Sequence, residues 1–492
     1  MRNLTLRIIA LLAAVLMLAS AFVACDTEKA ENNNPEQTDA PQNETDEAAP
    51  AVKKTDYDDE FYLSVMTHVN PMDIFWVEES AGDAMSEAVY ARQQKVQDYL
   101  GVEIKAKSAG GYPGYVDEFK TAVQNKDGSV DTLLTHVSKG IAGFISENYI
   151  QNFQDIPGID LDMPYWNKEF MDANAIGDAY YLGFSDFNIL YTYVIAFNKK
   201  MLNQLALDGY GVDEMYERVY SGNWTLDAFL DLAQKGFQNK GSEDKHIYGL
   251  VGQQWVPWCG FFHSSGINLI EINEKGQYEL SFYNDENREK TANLVDKLKN
   301  FSASGYAELV YSTNRPNARL SNNRALMEIE MTYGLDNLLD SDISFGVLPY
   351  PLYDTAQYDG ESESLGYRSL QWGGQIAIPN YLENAQMVGE TLEMLSYYSA
   401  PVQVTFYEKV LGKQVSEAPD DARMLEIVWN GICTDVGQTF DDMSGVLYFL
   451  PKVTWPGQGG YDLTSHYASV EKSSAKKINK FFEAVIKKQN AQ

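Results

Sequence analysis

Between Phe61 and Thr135 the spacing of apolar residues switches repeatedly between two and about 3.6, and this switching restricts the fold more than any other feature of the chain. Phe61, Leu63 and Val65 recur at every second position, as a strand with one buried face requires. Asp83 to Leu100 then sets Met85, Val89, Val96 and Leu100 on one helical face, and Gly101 ends the helix. Val102-Glu103-Ile104-Lys105 alternates again. A second helix carries Val116, Phe119 and Val123 on one side and leads through Asp127-Gly128 into a strand from Val130 to Thr135. Strand, helix, strand, helix, strand predicts an open, mainly parallel α/β sheet. Such sheets bind ligands in the crevice beyond the carboxyl ends of their strands.

Further along, Thr225 is placed to cap a helix bearing Leu226, Phe229, Leu230, Ala233 and Phe237, with Asp227 in its positive first turn. Leu269 to Ile272 and Gln277 to Phe282 flank Asn273-Glu274-Lys275-Gly276, the pattern of a β-hairpin. The chain ends in a helix whose buried stripe is Ile478, Phe481, Phe482, Val485 and Ile486, with Lys487 and Lys488 at its negative terminus.

The amino-terminal segment belongs to none of these elements. Arg2 and Arg7 precede an apolar run from Ile8 to Leu18, and small residues lead to Cys25, the three parts of a secretion signal. A spanning helix needs about 20 apolar residues, and here the run stops at a cysteine followed by Asp26, so cleavage of residues 1–24 is expected. Ala19-Ser20-Ala21-Phe22-Val23-Ala24-Cys25 resembles a lipobox, whose cysteine takes a diacylglyceryl group; Phe22 departs from the usual leucine. The other reading is an ordinary signal peptide cut beside a chance cysteine. From Asp26 to Asp59 the chain is Asn, Glu, Asp, Thr, Pro and Ala with almost no large apolar side chain before Tyr57, a composition that predicts a disordered tether over 25–59. A lipidated Cys25 would tie the body to the outer face of a cell membrane, as in a Gram-positive lipoprotein, through the two or three acyl chains that stable anchoring requires.

About 430 residues remain after the tether, beyond the size at which one core keeps growing, so two lobes are expected. The formal net charge of -32, which the loss of Arg2 and Arg7 makes more negative still, disfavours nucleic acid and anionic membrane surfaces as partners. Beyond Cys25 only Cys259 and Cys433 remain, too few for a disulfide framework or a metal spacing; one long-range bridge or two free thiols both fit. No Walker A loop, His-Glu-x-x-His helix or Gly-x-Ser-x-Gly elbow is present, and His68, His136, His246, His263 and His466 are scattered. Neither a cofactor nor a metal is indicated. With 70 acidic residues, carboxylate pairs suited to glycoside hydrolysis occur by chance, which leaves a secreted glycan-active enzyme as an alternative.

Gly177-Asp178-Ala179-Tyr180-Tyr181-Leu182-Gly183, followed by Ala196-Phe197-Asn198-Lys199-Lys200-Met201-Leu202, resembles the central signature of family 1 extracellular solute-binding proteins, the receptors of bacterial ABC importers. Further blocks fall in the family's order: Trp224 to Phe229, Tyr248-Gly249-Leu250, Asn323 to Met327, Phe345 to Pro349 and Gly373 to Pro379. Tyr407 to Lys413 resembles a stretch common in the long Firmicutes subgroup.

The resemblance implies a two-lobed, type II periplasmic-binding-protein-like α/β fold with hinge crossings near Leu190 to Val194, Leu348 to Tyr350 and Ser396 to Gln403. The first lobe would combine 60–190 with 350–400, and the second 191–349 with 401–492. It also implies a non-enzymatic, monomeric receptor that delivers a small solute, most simply a carbohydrate, to importer permease subunits; a peptide or another non-sugar solute is the alternative within the same fold. Sugar receptors stack aromatic rings on pyranose faces and fix the hydroxyls with polar side chains. On that basis Trp372 with Gly373 and Gly374, Trp255 with Trp258, Asp186 and Tyr333 are the candidate ligand-binding residues, the two glycines because a missing side chain lets backbone N–H groups approach a ligand.

Overall fold

A computed structural model describes residues 49–188, 192–310, 319–335, 338, 341–411, 419–455, 457 and 460–491. The signal segment 1–24, Cys25 and the tether up to residue 48 lie outside the described residues, and 49–58 carry no helix or strand. In chain order the strands are β1 (Asp59–Val65), β2 (Val102–Ser108), β3 (Thr132–Leu134), β4 (Tyr193–Asn198), β5 (Tyr248–Gln253), β6 (Ile270–Ile272) and β7 (Tyr278–Leu280). They continue as β8 (Ala307–Val310), β9 (Ala325–Met331), β10 (Phe345–Leu348), β11 (Ser369–Leu370), β12 (Ile376–Ala377) and β13 (Ile432–Cys433).

The first sheet has the order β12-β3-β1-β2. β1 runs parallel to β2, with Asp59 opposite Val102, and to β3, with Leu63 opposite Thr132; β12 is antiparallel to β3. Phe61, Leu63 and Val65 fill its core side at 1% exposure or less. The helix Ala84–Leu100 begins where the Asp83 carboxylate accepts the Met85 and Ser86 N–H groups at 3.1 and 3.0 Å, and ends at Gly101 with φ of 62°. A side chain at Gly101 would also strike Asp56, because the segment leading into β1 passes directly over this turn.

The second sheet has the order β10-β4-β9-β5-β8; β9, β5 and β8 are parallel, and β4 is antiparallel to both of its neighbours. The Thr225 hydroxyl caps the helix Leu226–Gly236, which lies so close to β5 that a Cβ on Gly249 would sit 1.6 Å from the Ala233 carbonyl oxygen. Leu232, rather than Leu230, takes the inner position with Leu226, Phe229 and Ala233, three residues on from Phe229. The expected hairpin is present as β6 and β7. Cys259 and Cys433 are free thiols, and burial raises the pKa of each.

The chain passes from the first sheet to the second ahead of β4, and returns through residues 371–375, between β11 and β12. That return lies later than the crossing expected at Leu348 to Tyr350. Pro349 to Leu352 stay with the second sheet's helices: Trp224 Nε1 donates to the Pro349 carbonyl at 2.8 Å, Tyr350 Oη to that of Pro257 at 2.9 Å, and Leu352 bridges Thr225. Tyr358 and Tyr367 continue the attachment through the carbonyls of Tyr220 and Val219. A stretch grouped by sequence with the first lobe is therefore bonded to the second.

Candidate functional site

The parallel strands place their following loops on one side, and those loops form a cleft of about 610 Å³. From the first sheet come Thr67 and His68 after β1, Tyr112 after β2, and His136 and Lys139 after β3. Facing them are Gln253, Trp255, Val256 and Pro257 after β5, Glu330, Met331, Tyr333 and Gly334 at the end of β9, and Tyr193 at the adjoining start of β4. Trp372 enters from the crossing segment and Tyr448 from the carboxy-terminal region.

Three of the aromatic residues expected from sequence meet here. Trp255 lines the cavity and stacks on Tyr448 with centroids 4.8 Å apart and planes at 11°. Trp372 meets Tyr193 edge-on at 6.3 Å, and Tyr333 lies in the short turn Thr332–Leu335 that closes β9. With Tyr112, six Tyr and Trp side chains border one cleft.

The other candidates lie elsewhere. Trp258 is fully buried, packed edge-on against Phe261 at 5.1 Å; it follows Trp255 by three residues, but the helix Val256–Ser264 turns it into the core. Gly373 and Gly374 are buried beneath the cleft. The Gly374 N–H that was expected to approach a ligand donates instead to Asn70 Oδ1 at 2.8 Å, and a Cβ there would lie 2.2 Å from the Thr135 carbonyl oxygen. Gly374 serves chain packing, and the Gly373 carbonyl accepts from the Gln371 side chain. Asp186 is outside the cleft: its N–H donates to the Tyr165 carbonyl, its carbonyl accepts from Gln403, and its charge adds to the burial that raises the Tyr407 pKa.

Amides set the floor under Trp372. Asn70 donates to the carbonyls of Met66 and Thr135 at 3.0 Å each, Asn188 donates to that of Gly374 at 3.0 Å, and Gln375 bonds Thr135 and Val137. Thr192, leading into β4, donates to the Leu370 carbonyl at 2.9 Å. The two crossing segments are thus bonded to each other and to the first sheet, and buried amide bonds of this kind favour one arrangement.

His136 accepts the Ser138 N–H on Nδ1 at 3.0 Å, so its proton sits on Nε2. Burial, then Lys139 and His68, push its pKa down to about 3, and the ring is neutral at ordinary pH. Glu330 turns a carboxylate oxygen onto the Met331 N–H at 2.8 Å. Lys139 is bonded to Asp441. No group of three His, Cys, Asp or Glu among the described residues is arranged to hold a metal ion, and no described helix is long and apolar enough to cross a membrane.

Residues 91–412 match the family described as bacterial extracellular solute-binding protein. The chain belongs to that family. Its fold agrees with solved two-lobed receptors. The GacH receptor of Streptomyces glaucescens, solved unliganded and with acarbose, is 15% identical with a TM-score of 0.56 over 86% of this chain and 98% of its own. The cyclic α-maltosyl-1,6-maltose binding protein of Arthrobacter globiformis is 11% identical, with a TM-score of 0.57 over 86% and 99%. UgpB of Mycobacterium tuberculosis, in complex with glycerophosphocholine, is 15% identical, with a TM-score of 0.53 over 87% and 98%. No curated protein matches the sequence. The solute-binding protein is therefore a two-lobed α/β receptor whose cleft lies between its two sheets.

Proposed function

We propose that this solute-binding protein captures a neutral saccharide in the cleft and delivers it to the permease subunits of an ABC importer, held at the outer face of the membrane by a lipid on Cys25. The observation that carries the ligand class is the ring of six Tyr and Trp side chains around one cavity, interleaved with Gln253, Thr67 and His136. Indole and phenol faces cover the weakly apolar faces of a pyranose, while amide, hydroxyl and neutral imidazole groups satisfy hydroxyls that would cost about 1 to 3 kcal/mol each if buried unpaired. The cavity falls within the ~300–1,000 Å³ of small-molecule sites. The cation in its wall also disfavours an anionic solute, because Lys139 is already matched by Asp441.

Several solved relatives of this fold were crystallised with saccharides, whereas UgpB holds a glycerophosphodiester, so the fold leaves the ligand open and the aromatic lining favours sugar. A thermal-shift screen across mono- and oligosaccharides, short peptides and glycerophosphodiesters tests the reading. The expected result is stabilisation by one saccharide group, with the sugar recovered chemically unchanged. Stabilisation by peptides alone would replace the ligand class, and conversion of the sugar would make the protein an enzyme.

A further inference from the structure

Lys139 follows β3 on the first sheet, and its charged partners come from the helix Asp441–Ser444, some 300 residues later in the chain. Its ammonium is bonded to Asp441 and lies 4.0 Å from one carboxylate oxygen of Asp442, whose other oxygen accepts the Gly140 N–H. Both aspartates belong to a segment held to the second sheet's helices. Asp435, at its start, accepts the Leu269 N–H at 2.7 Å and faces His263 at 3.2 Å. Asp441 itself accepts the Leu447 N–H at 3.0 Å, which fixes the turn leading to Tyr448. Tyr448 stacks on Trp255 at the end of β5, and the Lys139 ammonium lies 6.0 Å from the Tyr448 ring.

The contact is built for more than surface solvation. Asp441 is 5% exposed and Lys139 24%, so the pair is screened far less than an exposed one. On the same side, Lys488 bonds the Ser146 carbonyl and Gln489 that of Ile176, so the carboxy-terminal helix Leu463–Gln489 stays attached to the first lobe without Lys139. Lys139 itself lines the cleft, and its buried partner Asp441 lies behind that wall.

We infer that Lys139 is a positioning residue: its pairing with Asp441 and Asp442 latches the Tyr448–Trp255 wall to the first lobe and holds the ligand-free receptor near its ligand-ready shape. This rests on the cleft being the binding site, and it goes beyond ligand contact. Affinity equals the intrinsic value scaled by the fraction of molecules in the competent shape. A latch made of charges therefore makes the binding of an uncharged sugar sensitive to salt, although the sugar carries no charge to be screened.

The test uses the full chain without ligand first. Small-angle scattering at 20 and 500 mM sodium chloride, values chosen on the order of the screening lengths concerned, is expected to give a radius of gyration that grows with salt in the parent. Lys139→Met should be expanded at both concentrations and indifferent to salt, while Lys139→Arg restores the parent's response. Should Lys139→Met fail to fold, Asp441→Asn takes its place, since its amide still accepts the Leu447 N–H. With the sugar found in the screen, or with maltotriose as the default probe, Lys139→Met should bind about tenfold more weakly and lose the salt dependence. A folded variant with the parent's radius, salt response and affinity would overturn the latch. Failure of every sugar to bind, with the ligand-free salt response intact, would instead overturn the ligand class and leave the latch standing.

Discussion

Trp255 and Trp258 are three residues apart, and their replacement by alanine should separate binding from folding. Trp255 borders the cleft, half-buried, with Tyr448 stacked on its ring. Truncation removes that stack, worth about 0.5 to 1.5 kcal/mol, and with it a large rigid surface in the cleft. Loss of such an anchor typically costs about 2 kcal/mol of binding, or roughly thirtyfold in affinity. Trp258 is fully enclosed, packed against Phe261, so its removal leaves a cavity and costs about 3 to 5 kcal/mol of stability. Calorimetric melting of the ligand-free variants gives the stability difference, and isothermal titration with the sugar from the screen gives the affinity difference. Trp255→Ala should melt within a degree or two of the parent and bind far more weakly; Trp258→Ala should melt several degrees lower and, at a temperature where it is folded, bind nearly as the parent does. Parent-like binding by Trp255→Ala would refute the assignment of this wall. So would a Trp258→Ala that keeps its melting temperature and loses binding.

Other outcomes follow from buried polar groups and from the anchor. Burial, with Asp59 and Glu383 nearby, pushes the Asp131 pKa up to about 7, while its carboxylate accepts the Tyr62 N–H at 2.8 Å. A raised carboxylate pKa means the fold keeps a proton that the unfolded chain releases near pH 3.8, so this group's stabilisation fades as pH rises towards 7, by at most about 4 kcal/mol. Asp131→Asn should raise the melting temperature at pH 8 and much less at pH 5; an equal effect at both would contradict the shift. Asn70→Ala orphans the Gly374 N–H and the Met66 and Thr135 carbonyls beneath the cleft, and denaturant titration should register a loss of about 2 to 4 kcal/mol. Cys25→Ser should release the protein from membranes or leave an uncleaved precursor, and parent-like fractionation and migration would exclude lipidation.

What was legible in the sequence depended on how local its physics is. Asp83 and Gly101 bound their helix through contacts within a turn, and Thr225 caps its own, so the residue types alone carry the signal. The crossing misplaced at Leu348 to Tyr350 is different: Trp224, Tyr358 and Tyr367 hold 349–367 to the second sheet over separations of more than a hundred residues. The same divide runs through the cleft. Trp255 stands in a polar and aromatic run that the family resemblance puts at the cleft, but Trp258 stands in it too, and the run does not reveal which tryptophan the next helix turns inward. Tyr112, His136 and Lys139 were within reach, because each lies just beyond the carboxyl end of a strand already located, where parallel sheets bind their ligands. Tyr448 was not. It reaches Trp255 from a segment 193 residues later in the chain, and no spacing in that segment marks it. The wall of the cleft is assembled from a legible half and an illegible one, and Lys139 with Asp441 is where the two are bonded.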